Sequence, residues 1–121
     1  MKNLKLYSGV SKESWENVWK NKNISDKETN VTSDLDFAFD YSYNFKTGEY
    51  EDLAIEISNI PLDAFVAVRD EDYEDDDDFE SLTNFSDDKK NNIIQSNSLF
   101  ILNLKPYIDT VEINLIDKKM N

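Results

Sequence analysis

The 121-residue chain has no cysteine, no histidine, and only two glycines and two prolines. Absence of cysteine excludes disulfides and thiolate nucleophiles, and fits a reducing compartment. Absence of histidine removes the usual neutral-pH general base and the commonest zinc ligand. Nucleophilic triads of the familiar kinds are therefore excluded. Scarce glycine and proline argue against a repetitive or linker-rich chain, and there is no glycine-rich phosphate loop. Positive charge is also short. Thirteen Lys and Arg face 26 Asp and Glu, a net charge of -13. Such a surface repels a phosphate backbone, so free nucleic acid is excluded as the direct ligand. No stretch nears the roughly 18 apolar residues of a membrane span. The opening Met1-Lys2-Asn3-Leu4 carries no signal-peptide core. The expected location is cytoplasmic, the host cytoplasm if the chain is phage-encoded. Without a secretion signal, the acceptor-like Asn30-Val31-Thr32 is read as chance.

What is present is acid. Asp70, Glu71, Asp72, Glu74, Asp75, Asp76, Asp77, Asp78 and Glu80 crowd into eleven positions, broken only by Tyr73 and Phe79. Carboxylates this dense repel one another and do not pack into a core by themselves. The run must be solvated, bind a cation, or face a basic partner. A dedicated calcium loop is a poor match: the glycine and terminal glutamate that an EF-hand requires are missing, so no metal is expected.

With 39% hydrophobic residues, the length suits one domain over 1–121, with an acidic loop at about 69–80. Leu4–Tyr7 reads as a first strand ended by Gly9. Ser11 is placed to cap a helix reaching about Lys20, with Trp15, Val18 and Trp19 on one face. Asn21–Asn30 is polar and loop-like. Ser33 reads as a second N-cap, with Asp34 and Asp36 in the favourable first turn. Phe37, Ala38, Tyr41 and Phe45 follow at helical spacing, and this helix is expected to end near Asn44. Tyr7, Tyr41, Tyr43 and Tyr107 could stack on a ligand, but at these spacings they are expected to pack. Lys46–Glu49 is a turn and Leu53–Ile57 a strong strand. Leu62–Val68 reads as a helical turn plus a strand, and Ser86–Asn92 as polar. Asn97–Leu104 and Thr110–Ile116 read as strands, close enough in sequence to form an antiparallel pair. The expected class is a small α+β domain, with two N-terminal helices packed on antiparallel sheet.

Charge pattern and size point to a binder. The leading expectation is a small protein, monomeric or a small homo-oligomer, that docks on a basic, nucleic-acid-processing enzyme and blocks it. Nucleic-acid mimicry by ordered carboxylates is one route. A phage or mobile-element inhibitor of a restriction or CRISPR component fits, as does an antitoxin or immunity protein. The expected contact residues are Asp70 to Glu80, with Tyr73 and Phe79 as aromatic anchors, and Asp34, Asp36 and Glu51 as outlying acids.

The segments Leu6-Tyr7-Ser8-Gly9, Val31–Ser42 with its Ala38 and Tyr41 pair, Gly48, and Leu53–Ile57 resemble the ADP-ribosyltransferase superfamily. The resemblance implies a split pair of small antiparallel sheets with flanking helices, and NAD as cofactor. It implies Thr32 and Ser33 as the Ser/Thr element, Tyr7 and Tyr41 as pocket aromatics, and Glu112 as the catalytic carboxylate. Ser8 stands where that family's NAD-holding His or Arg belongs. A neutral hydroxyl supplies neither the charge nor the bidentate geometry for a dinucleotide. Lost activity on such a scaffold is therefore expected, and a purely binding role needs no cofactor.

Overall fold

The computed structural model describes residues 4–24, 28–69 and 79–120. Strand β1 (Leu6–Val10) runs into a helical segment that starts as α1 (Lys12–Ser14) and continues as a π-wound turn over Trp15–Trp19. Ser11 caps it as expected, its Oγ accepting from the Ser14 amide at 3.1 Å. The widening is visible in the hydrogen bonds: the Trp15 amide donates to the Ser11 carbonyl, and the Lys20 amide reaches five residues back to the Trp15 carbonyl. Trp19 is buried, with Trp15 and Val18 packed beside it.

Strand β2 (Thr29–Thr32) leads to helix α2 (Leu35–Phe39). Strands β3 (Tyr43–Asn44) and β4 (Glu49–Tyr50) form a small hairpin. Strand β5 (Leu53–Ser58), a 3-10 turn at Leu62–Ala64 and β6 (Phe65–Arg69) follow. After β7 (Phe79–Ser81) come α3 (Asp87–Gln95), β8 (Leu99–Leu102) and β9 (Glu112–Asp117).

Seven strands form one antiparallel sheet in the order β7-β6-β8-β2-β1-β5-β9. Period-two alternation sorts its side chains to two faces. Leu6 and Val10 of β1, Leu53, Ile55 and Ile57 of β5, and Phe100 and Leu102 of β8 point into the main core, where Trp19, Ile94, Leu104 and Val111 cover them. Each fully buried side chain of this size contributes about 1.5–3 kcal/mol. Tyr7, Gly9 and Ala54 point the other way, and α2 covers that face through Ala38 and Phe39. The chain is a small α+β domain with N-terminal helices packed against a large antiparallel sheet, as the sequence indicated.

Several local readings are corrected. Gly9 does not end β1. It lies inside the strand because α2 comes so close that a Cβ there would sit 2.2 Å from the Ala38 carbonyl oxygen. The α2 cap is Asp34 rather than Ser33, its carboxylate accepting from the Asp36 and Phe37 amides at 3.0 and 3.3 Å. That helix stops at Phe39, well before Asn44, and Tyr43–Asn44 turns into the hairpin. The polar Asn21–Asn30 stretch ends in the start of β2. Ser86 caps a real helix, α3, accepting from the Lys89 amide at 3.3 Å. β8 and β9 do not pair: β8 lies between β6 and β2, while β9 forms the far edge beside β5.

Candidate functional site

One row of facing residues crosses the sheet: Tyr7 pairs with Thr32, Thr32 with Leu99, Leu99 with Arg69, and Arg69 with Phe79. From Thr32 to Phe79 this is three strand spacings, about 14 Å. The row sets which acids share a neighbourhood. Asp34 follows Thr32 directly, with its amide donating to Thr32 Oγ1 at 3.1 Å. Arg69 and Phe79 are the described residues that bound positions 70–78. Thus Asp34 and Asp36, both exposed, stand at the same end of the sheet as Arg69 and Phe79.

Of the sequence-predicted binding residues, Asp70, Glu71, Asp72, Tyr73, Glu74, Asp75, Asp76, Asp77 and Asp78 lie outside the described residues. Phe79 is half-exposed and Glu80 exposed, both on edge strand β7. Glu51 belongs elsewhere. It lies just before β5, whose first residue Leu53 pairs with Val10, at the opposite end of the sheet from Thr32. Its Oε1 accepts from the Lys12 amide at 3.1 Å and from Asn44 Nδ2 at 3.3 Å. That carboxylate ties the hairpin to the start of α1.

A groove of about 410 Å3 opens between α2 and the exposed face of the sheet. Its floor includes Tyr7, Ser8, Asn30, Thr32 and Arg69, and its α2 wall carries Phe37 and Tyr41. The size lies within the range of small-molecule sites. Arg69, the only arginine in the chain, donates from Nη1 to Asn30 Oδ1 at 2.7 Å. Burial raises the Tyr7 phenol above its ordinary value, and the facing Glu56 carboxylate adds to the shift. Glu56 itself lies 3.8 Å from Lys5 Nζ.

The resemblance-derived residues divide. Tyr7, Thr32 and Tyr41 all line the groove, as does Ser8. Ser33 does not line it and gives its amide to the Ser98 carbonyl at 2.9 Å. Glu112 is exposed on edge strand β9, opposite Ser58, two strands from β1. The carboxylate facing Tyr7 is Glu56. A larger cleft of about 520 Å3 near Asn59, Leu62 and Tyr107 is lined by no carboxylate and no cation. Among the described residues, no helix is long and apolar enough to cross a membrane.

The aromatic residues contain a surprise. Tyr41, expected to pack, is 64% exposed, and Phe37, Phe45 and Tyr50 join it at 37%, 90% and 63%. They form two ring clusters, Phe37 with Tyr41 at 5.2 Å and Tyr43 with Phe45 and Tyr50 at 5.0 and 5.1 Å. Helical spacing concealed them, because the helix stops before it can carry Tyr41 and Phe45 inward. Arg69 and Glu56 were also missed; a lone arginine in a lysine-only background was the available signal.

Comparison with known proteins returns no matching family model, no matching curated protein and no matching solved structure.

Proposed function

We propose that this protein binds a basic protein surface, one that normally holds nucleic acid, and blocks it by occupying that surface. The observation that carries the reading is the gathering of acids at one end of the sheet. Asp34 and Asp36 stand at the same end as Arg69 and Phe79, the described neighbours in sequence of residues 70–78, and this supports the reading that the acids act together. Concentrated like charge speeds encounter with an oppositely charged partner and disfavours neutral ones. A phage-encoded inhibitor of a defence nuclease and an immunity protein both fall within this class. The test is affinity capture from host lysate at about 0.15 M salt, near the ionic strength of cells, with mass spectrometry of what elutes as salt rises. One basic nucleic-acid enzyme is expected. Converting Asp75, Asp76, Asp77 and Asp78 to Lys should abolish its capture while the circular dichroism spectrum is unchanged. Undiminished capture by that variant would remove the assignment.

A second reading, an ADP-ribosyltransferase-like enzyme using NAD, is favoured by the meeting of Tyr7, Thr32 and Tyr41 in one groove. The fit is partial. Ser8 offers no charge to a pyrophosphate, and Glu112 stands two strands away from β1. Under this reading NAD binds and Glu112→Gln reduces turnover while leaving binding largely intact. Calorimetry with NAD that returns no heat of binding ends it.

A further inference from the structure

We infer that the docking site for the basic partner is centred on α2 and the β3–β4 hairpin, where Phe37, Tyr41, Phe45 and Tyr50 seat lysine and arginine side chains of that partner. This rests on the basic-partner reading above and says where it acts. Among the described residues, six large apolar side chains are exposed, and four of them fall between Phe37 and Tyr50. Single exposed apolar residues are ordinary, whereas a concentration of this kind marks an interaction surface.

The surroundings select the partner. Along the sequence, residues 34–52 hold Asp34, Asp36, Asp40, Glu49, Glu51 and Asp52 against Lys46, a net of -5. In space, Lys12 and Lys119 share a cleft with Tyr50, together with Glu16, Glu49, Glu51 and Asp117, so the balance there stays acidic. Lys46 is held by Glu13, with Nζ 2.7 Å from Oε1. Exposed rings with carboxylates nearby in the chain suit a long cationic side chain: its aliphatic stem lies on the ring, its charge faces the π cloud, and a carboxylate neutralises it. An apolar partner would leave these acids desolvated and unpaired.

The surface is also pre-formed. Each ring already rests against another, so less side-chain freedom is lost on binding. The two clusters flank Ser42, which is fully buried and fixed to the core. Glu51 and the Lys46–Glu13 pair hold the hairpin against α1.

The test titrates a synthetic lysine- and arginine-rich peptide into the isotopically labelled full-length protein at about 0.15 M salt, reading backbone amide shifts and affinity. Shifts concentrated in residues 34–52 are expected. The triple variant Tyr41→Ser, Phe45→Ser, Tyr50→Ser should lose at least about tenfold in affinity, as when aromatic anchors are removed from an interface. Those three side chains are the most exposed of the six, so the fold is expected to survive, and the variant's own spectrum checks this. Undiminished affinity in a folded triple variant, with binding lost on Asp75–Asp78→Lys, would overturn this location and leave the basic-partner reading standing. No binding by the unaltered protein would overturn both.

Discussion

Ser42 donates its hydroxyl proton to the Val10 carbonyl at 2.6 Å, joining the chain after α2 to the end of β1. The same oxygen accepts from the Leu53 amide at 2.9 Å, where β5 begins. One buried hydroxyl thus closes backbone groups on two neighbouring strands. Ser42→Ala leaves a buried carbonyl and a buried amide without this partner, and should cost about 1–3 kcal/mol. Urea unfolding is expected to show a lower midpoint at an unchanged slope. A midpoint equal to the wild type would mean that other groups satisfy both positions.

Gly9→Ala should destabilise the domain by about 1–3 kcal/mol, the usual cost of forcing atoms into packed space. The new methyl would meet the Ala38 carbonyl oxygen and the Tyr41 and Ser42 backbone. These are backbone atoms, so relief requires α2 to move. Amide shifts at Ala38, Tyr41 and Ser42 are the specific readout. Shifts confined to residues 8–10 would count against the close approach described above.

Asp34→Ala removes the acceptor for the Asp36 and Phe37 amides, and should cost about 0.5–2 kcal/mol. Asp34→Asn should cost much less, since an amide oxygen caps nearly as well. Asp36→Asn removes equal charge without touching the cap. Comparing the three by thermal unfolding separates capping from surface charge. Equal losses for Asp34→Asn and Asp34→Ala would show that charge dominates there.

The Tyr7 phenol should titrate above the ordinary tyrosine value of 10.0, chiefly because burial disfavours the phenolate and secondarily because Glu56 faces it. A raised folded value means that the folded state holds the proton more tightly than the unfolded chain does. The resulting stability is complete below the unfolded value and is lost as pH climbs from there through the folded value. Carbon NMR of labelled tyrosine rings follows the titration. Glu56→Gln should bring Tyr7 part of the way down, leaving the larger effect of burial. A Tyr7 that titrates at the ordinary value in the wild type would contradict its half-buried position.

Legibility in the sequence followed how local each signal was. Leu53–Ile57 and the helical turn before β6 were legible because a short apolar run with a flanking Pro61 speaks for itself. The Ser11 cap was legible because a hydroxyl residue stands just ahead of the helical stripe of Trp15, Val18 and Trp19. α3 was missed because its one fully buried side chain is Ile94, and the Asp-Asp-Lys-Lys-Asn-Asn opening gives no apolar stripe. Ser86 before two aspartates was the overlooked clue. The placement of β8 was not legible at all. Its Leu-Phe-Ile-Leu run is buried throughout, which marks a central strand, but nothing local names β2 and β6 as its neighbours. For the site, the acids were visible from composition. The exposed rings were not, since helical spacing hides where a helix stops.

The position of β8 has a consequence for synthesis. Strands β1, β2 and β5 can pair early, and β6 can pair with β7, yet these two pieces touch within the sheet only through β8. Val31 meets Phe100, and Phe65 meets Leu102, so the join waits until residues 99–102 leave the ribosome. Any half-sheets formed before then would have open inner edges, the kind of edge that invites pairing with other chains. By that point the acidic segment has already been made, and its charge repels a neighbouring nascent copy of the same chain. The carboxylates proposed to attract a partner would thereby also keep unfinished molecules apart.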